Sequence, residues 1–402
     1  MIDNLPNGWR VEKLGNLVKR MHQGINTAAD KVEFSNSGYP ILQTKNISKG
    51  IIDFNDTKYM NNEYWEKYKE KYKPKINDIL LANIGTIGKN VIVKEESDYL
   101  IHWNIFLIEP NQTLITTNYL KSFFDKLYNQ NYYDLFLKGG TVKFISKSFL
   151  IDLQIPIPPL QQQEKIVKVL DLTSNLIKKQ KELLEKYDLF LKSKFIEMFG
   201  EPVSNPKGWS LGKLKDLFLQ VNYGTSSKAN EENKGFPILR MNNITYSGHL
   251  NVSDLKHIEL SEKDLKKFIL EKGDILFNRT NSKELVGKTT VFNLDEQYSF
   301  AGYLVRAKVN DKADPYFISY FLNSDYGKAV LLNMAKNIVG MANINAQEMQ
   351  SIDCYIPPIE LQNQFASIVE KIETIKEKEN QKLKQLEDLH NSMMQKAFKG
   401  EI

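Results

Sequence analysis

The sequence predicts an α+β protein. Two repeated α/β-mixed domains are separated by two long antiparallel helices, which form an intramolecular coiled coil with pseudo-two-fold symmetry. Three observations carry that expectation: an internal repeat spanning half the chain, short β-branched runs between turn residues in each half, and a long closing stretch in each half without Gly or Pro.

The repeat is read directly from the residues. Pro6-Asn7-Gly8-Trp9 returns as Pro206-Lys207-Gly208-Trp209, and Leu14 and Leu17 return as Leu214 and Leu217. Tyr39-Pro40-Ile41-Leu42 answers Phe236-Pro237-Ile238-Leu239, and Asn46-Ile47 answers Asn243-Ile244. Asp78-Ile79-Leu80 reappears as Asp274-Ile275-Leu276, Gly88-Lys89 as Gly287-Lys288, and Ile157-Pro158-Pro159-Leu160 as Ile356-Pro357-Pro358-Ile359. Both halves close on Gly-Glu, at Gly200-Glu201 and Gly400-Glu401. Matches that stay in order at offsets of 196 to 200 define a duplication.

Each mixed domain contains runs such as Asn90 to Val93 and Ile105 to Ile108, bounded by Gly, Asn and Asp, the pattern of short strands. A helical stretch follows near Asn118 to Lys138, with a counterpart near Asp314 to Lys336. The Pro-Pro pair then breaks regular structure, because proline lacks a backbone donor and restricts the residue before it.

From Gln161 to Met198 the chain carries no Gly or Pro, and apolar residues recur every seven. Leu170, Ile177, Leu184, Leu191 and Met198 form one column, and Val169, Leu176, Leu183 and Phe190 form its neighbour. In the second half Phe365, Ile372, Leu386 and Met393 form the matching column, which Glu379 interrupts. Heptad spacing keeps such a stripe facing a partner helix. At 1.5 Å per residue each helix is about 55–60 Å long. Two equivalent helices in one chain favour pairing with each other over homodimerisation, and a two-fold arrangement of the halves runs them antiparallel. The expected divisions are residues 1–155 and 201–354 for the mixed domains, and 156–200 and 355–402 for the helical regions.

Composition narrows function weakly. The 402 residues carry 42% hydrophobic and 26% charged side chains, an ordinary globular balance, with a net charge of +5 that permits a polyanionic partner without requiring one. One cysteine, Cys354, excludes an intrachain disulfide and a cysteine-based zinc cluster. The first residues lack an apolar signal core, and no run approaches the ~18 apolar residues of a membrane span, so a cytoplasmic protein without a membrane partner is expected.

Catalytic constellations are not evident. His22, His102, His249, His257 and His390 are scattered without metal-ligand spacing, so no metal site is expected. Gly287-Lys288-Thr289 resembles the end of a phosphate-binding loop, yet Ser282 stands where the leading Gly belongs and a β-branched run follows where a helix is needed. Neither Pro-Pro pair sits in the Asn-Pro-Pro-aromatic setting of an amino-methyltransferase. The chain is expected to be non-catalytic.

Taken in order, these motifs resemble those of the specificity subunits of Type I restriction-modification enzymes, over essentially the whole chain. The junction signature of that family is present as Ile155-Pro156-Ile157-Pro158-Pro159-Leu160 with Gln163, and as Ile356-Pro357-Pro358-Ile359 with Gln362. The family's Gly-Asp-Ile-Leu is kept at Gly273-Asp274-Ile275-Leu276, whereas the first copy has Asn77 in place of the Gly.

The resemblance implies a sequence-specific DNA-recognition subunit with two target-recognition domains, each reading one part of a bipartite, asymmetric duplex target. It also implies two methyltransferase (M) subunits on the paired helices and restriction (R) subunits for cleavage. S-adenosylmethionine would be held by M, ATP and Mg by R, and no cofactor by this chain. The helices would act as a ruler between two grooves, given ~34–36 Å per turn of DNA. Two other readings stay open: a coiled-coil adaptor binding proteins rather than DNA, and a specificity module for a Type II-like methylase–nuclease.

Reading a base edge requires donors and acceptors on loops held by a rigid scaffold. In the first domain the candidates are Gln43, Lys45, Asn46, Asn83, Thr86, Lys138 and Lys143. In the second they are Arg240, Asn242, Asn243, Asn278, Arg279, Thr280, Asn281, Lys283, Lys336 and Asn337. The arginines are the favoured base readers, because a guanidinium fork matches guanine, while lysines favour phosphates.

Overall fold

The computed structural model describes residues 5–140, 142–338 and 341–402, with the side chains of residues 336–338 outside the description. Two compact units result, one formed by Met1–Lys179 with Leu383–Ile402, the other by Gln180–Lys382. Each unit therefore holds one mixed domain, the start of the helix that follows it, and the end of the other long helix. Among the described residues no helix is long and apolar enough to cross a membrane.

The first unit contains β1 (Arg10–Lys13), β2 (Val18–Gln23), β3 (Tyr39–Leu42), β4 (Lys58–Met60), β5 (Ile79–Ala82), β6 (Asn90–Ile92), β7 (Leu100–Ile101), β8 (Ile105–Pro110) and β9 (Gln154–Ile157). Its main sheet is antiparallel in the order β2-β8-β5-β6; a second sheet runs β4-β3-β7, and β1 pairs with β9. Strand β5 is buried on both faces, so its alternation divides one apolar run between two cores. Ile79 and Leu81 join Phe106, Leu120 and Phe124 on the side of the helix Thr117–Asn129, while Leu80 and Ala82 join Leu42, Val91 and Leu107 opposite.

The second unit repeats this plan with β10 (Ser210–Lys213), β11 (Phe218–Tyr223), β12 (Phe236–Leu239), β13 (Lys256–Ile258), β14 (Ile275–Asn278), β15 (Thr280–Asn281), β16 (Thr289–Val291), β17 (Ser299–Phe300), β18 (Leu304–Val309), β19 (Lys336–Ile338), β20 (Met341–Asn343) and β21 (Asp353–Ile356). Its sheets run β11-β18-β14-β16, β13-β12-β17 and β10-β21, the first unit's order restated, with an added β15-β20-β19 sheet. The Gly-Lys turn between the third and fourth strands of each main sheet is left-handed, at φ +86 for both Gly88 and Gly287. A Cβ there would lie 2.4 Å from the Tyr133 ring in one unit and 2.7 Å from Leu331 in the other, so only Gly fits. In each unit the turn joins two antiparallel strands of the main sheet.

The helical stretch expected near residues 118 to 138 ends at Asn129 and continues as a 3₁₀ turn over Tyr132–Phe136. Its counterpart breaks at Ser324 into Pro315–Asn323 and Asp325–Met334, because the Ser324 side chain caps the second helix by accepting from the Gly327 N–H.

The two long helices span Leu160–Phe199 and Ile359–Ala397. In the first unit Ile166, Val167 and Leu170 share a core with Met394, Ala397 and Phe398; in the second, Leu191, Phe195 and Phe199 share one with Phe365 and Val369. The early part of each helix thus meets the late part of the other, which is antiparallel pairing. Polar contacts follow the same register. Thr173 Oγ1 lies 2.6 Å from His390 Nδ1, and Gln180 Nε2 donates to the Glu379 carboxylate at 2.8 Å. Glu379, the break in the heptad column, is met by a polar partner.

Leu170, Leu191 and Phe365 are buried, while Ile177, Leu184, Ile372, Leu386 and Met393 are half-buried. In the neighbouring column Leu176 and Phe190 stay exposed, because a pair of helices covers only one stripe of each.

The junction motif has a structural explanation in both units. Buried Gln163 accepts from the Thr116 N–H at 2.8 Å and donates to the carbonyls of Leu114 and Pro158. Gln362 accepts from the Asp314 N–H at 2.9 Å and donates to the carbonyls of Lys312 and Pro357. One side chain ties the helix start to the loop ahead of the preceding helix, satisfying backbone groups that burial would otherwise leave unpaired.

Candidate nucleic-acid interface

Backbone register defines equivalent positions in the two units. Leu81 faces Phe106 across β5 and β8, as Phe277 faces Val305 across β14 and β18. The Asn83 N–H bonds to the Asn104 carbonyl, as the Arg279 N–H bonds to the Tyr303 carbonyl, and Ile145 and Ile344 return the bond to Asn83 and Arg279. Asn83 is therefore equivalent to Arg279, Ile84 to Thr280, Asn104 to Tyr303, and by the adjoining register Gln23 to Tyr223 and Phe144 to Asn343.

All five positions differ between units, although the framework around them is repeated. In the second unit the Arg279 guanidinium lies 4.9 Å over the Tyr223 ring, whose hydroxyl accepts from the Ala346 N–H at 3.0 Å. Arg279 also donates to the Gly302 carbonyl and the Asn343 side-chain oxygen, both at 3.4 Å, while the Asn343 amide donates to Thr280 Oγ1 at 2.8 Å. Tyr303 stands beside this group, 49% exposed. In the first unit Gln23 donates to the Trp103 carbonyl at 3.1 Å, and Asn83 is fully buried with both amide atoms unpartnered.

Five of the expected contacts, Asn46, Asn83, Asn243, Asn278 and Thr280, have side chains that lie in the interior. Asn46 accepts from the Gln43 N–H and donates to the carbonyls of Asp53 and Asn55. Asn243 does the same with Arg240, Asn251 and Asp254, so this repeated Asn closes a loop. Asn83, Asn278 and Thr280 are buried at the end of β5 or around the end of β14.

Arg240 is tied by its guanidinium to the Asp254 carboxylate at 3.0 Å, and Gln43 is half-buried. Lys45, Thr86, Lys138, Lys143, Asn242 and Lys283 are exposed, and Asn281 and Arg279 are half-buried. The side chains of Lys336 and Asn337 lie outside the described residues, as does Gly340 beyond them. Sequence reasoning passed over Gln23, Trp103, Asn104, Tyr223, Tyr303 and Asn343. The available signal was that Gln23 and Tyr223, and Asn104 and Tyr303, hold equivalent places in a repeat yet differ in type.

The model of the Type I restriction modification DNA specificity domain matches residues 6–186 and again residues 206–388. The chain belongs to that family. Among named relatives, this specificity-domain protein is 25% identical to the Type I restriction enzyme EcoKI specificity subunit of Escherichia coli K12, over 99% of this chain and 90% of that protein. It is 27% identical to the putative Type I restriction enzyme MjaX specificity subunit of Methanocaldococcus jannaschii, over 100% of this chain and 95% of the relative. Two solved structures share the fold. The S subunit of a Type I restriction-modification system from M. genitalium aligns with TM-score 0.53 at 13% identity, covering 98% of this chain and 97% of that one. A chain from work on complex assembly and conformational transition of the type I R-M system aligns with TM-score 0.59 at 18% identity, covering 99% and 100%.

Proposed function

We propose that each unit of this Type I specificity subunit reads one part of a bipartite, asymmetric DNA target, and that the subunit itself carries out no chemistry. The observation that carries this reading is the pair of equivalent surfaces. A common framework presents Gln23, Asn104 and Phe144 in one unit and Tyr223, Arg279, Tyr303 and Asn343 in the other. A repeated scaffold with altered donors at matched positions is what reading two different sequences requires.

The exposed members of the candidate set, Lys45, Thr86, Lys138, Lys143, Asn242 and Lys283, with the half-buried Asn281 and with Lys336 and Asn337, would supply further phosphate and base contacts. The net charge of +5 is modest, so affinity for DNA is shared with partner subunits. Those partners are methyltransferase subunits docked on the helix pair, with restriction subunits joining for cleavage. Large apolar side chains left exposed on the central helix, Leu172 at 62% and Phe190 at 47%, support docking there. The site of action is the cytoplasm.

The test is to express the chain with its cognate methyltransferase subunits and map methylated adenines across the host genome. A methylated motif made of two specified parts around an unspecified gap is the expected result. A continuous motif, or none in an assembled complex, contradicts the reading.

A further inference from the structure

Arginine is scarce in this protein. The chain has five, at positions 10, 20, 240, 279 and 306. Four are neutralised by carboxylates: Arg10 by Glu12 at 3.6 Å, Arg20 by Glu109 at 3.2 Å and Asp78 at 3.3 Å, Arg240 by Asp254 at 3.0 Å, and Arg306 by Asp274 at 3.8 Å. Among the described residues no carboxylate lies within ion-pair distance of Arg279.

Its surroundings fix its plane without satisfying its charge. The guanidinium is stacked on Tyr223, and Tyr223 is itself anchored through its hydroxyl. Among the described residues its two remaining partners, the Gly302 carbonyl and the Asn343 amide oxygen, are neutral and distant at 3.4 Å, and Nε has no partner. A stacked, unneutralised fork is pre-organised for two parallel hydrogen bonds to a planar acceptor pair. Among base edges in the major groove, guanine offers such a pair in O6 and N7.

The first unit lacks this device. Asn83 stands at the position of Arg279, short and fully buried, with Ile84 and Phe144 in place of Thr280 and Asn343.

We infer that Arg279 reads one guanine in the target part contacted by the second unit, and that the first unit imposes no such requirement from the equivalent place. The inference rests on the proposed reading of DNA by both units and adds the base.

The experiment maps adenine methylation by wild-type complex, by Arg279→Lys and by Arg279→Ala, each assembled with the methyltransferase subunits. In the wild type, one part of the motif contains an obligatory G·C pair. Both variants relax that single position, with the preference for guanine over other bases falling about ten- to a hundred-fold and the other part unchanged. Arg279→Lys keeps the charge but loses the fork, so its relaxation separates base reading from phosphate attraction and covers failure of the alanine variant to assemble. An unrelaxed motif in Arg279→Lys overturns the inference while leaving the function standing, as does uniform weakening at every position. A wild-type complex that assembles but methylates no two-part motif removes both.

Discussion

The Asp188 carboxylate and the Lys376 ammonium, one from each long helix, lie 2.6 Å apart, and Lys376 is only 9% exposed. Lys376 also meets Glu373 at 3.0 Å, and His249, from the loop after β12, lies 3.1 Å from Asp188. Burial alone would raise the Asp188 carboxyl, but hydrogen bonds from His249 and Lys376 outweigh it and hold the group at about 2. A carboxyl lowered on folding stabilises above its unfolded value, near 3.8, and loses that contribution as the pH falls through about 2. Because Asp188 is partly solvated, the contribution is roughly 1–2 kcal/mol. Asp188→Asn should flatten the stability profile between those pH values, measured by urea unfolding. Lys376→Met, which leaves two carboxylates facing each other, should cost about 1–3 kcal/mol at neutral pH.

Asp78 behaves in the opposite sense. Burial pushes its carboxyl up to about 6, although the Lys75 N–H at 2.8 Å and Arg20 at 3.3 Å favour the charged form. A carboxyl raised on folding stabilises fully below its unfolded value, near 3.8, and that contribution is lost as the pH rises through about 6. Asp274 in the second unit shifts in the same direction. Asp78→Asn should remove ~2–3 kcal/mol of the decline in stability from pH 4 to 7, since one pKa unit corresponds to 1.36 kcal/mol. Chemical denaturation across that range reads it directly.

Replacing Gln163 by Leu strands the Thr116 N–H and the carbonyls of Leu114 and Pro158. The expected cost is roughly 2–4 kcal/mol, since buried backbone groups lose their partners. Hydrogen exchange should rise around residues 112–117 and leave the second unit unchanged. Gln362→Leu should do the reverse, around residues 310–316. Exchange that rises in both units for either variant would show that the two glutamines do not act locally.

Much of this architecture was readable because it is written in patterns with one physical meaning. An uninterrupted heptad column without Gly or Pro can only be a long helix seeking a partner, and Leu160–Phe199 is that helix. The repeated Gly-Lys turn was legible because a left-handed position admits little but Gly. Asn was ambiguous. Asn46 and Asn243 have the amide chemistry of base readers, yet the same amide closes loops, and only tertiary position separates the two uses. Tyr223 and Asn343 were invisible for a related reason. They lie 56 and 64 residues from Arg279 in sequence and meet it only because β11, β14 and β20 converge.

The most direct measurement exchanges one unit's reading surface and leaves the other intact. Residues 201–354 are replaced by the corresponding segment of a specificity subunit with a known target, and methylated adenines are mapped for the assembled complex. One part of the methylated motif should change to that of the donor, while the part read by the first unit persists base for base. A motif that changes in both parts, or in neither, contradicts the assignment of one target part to each unit.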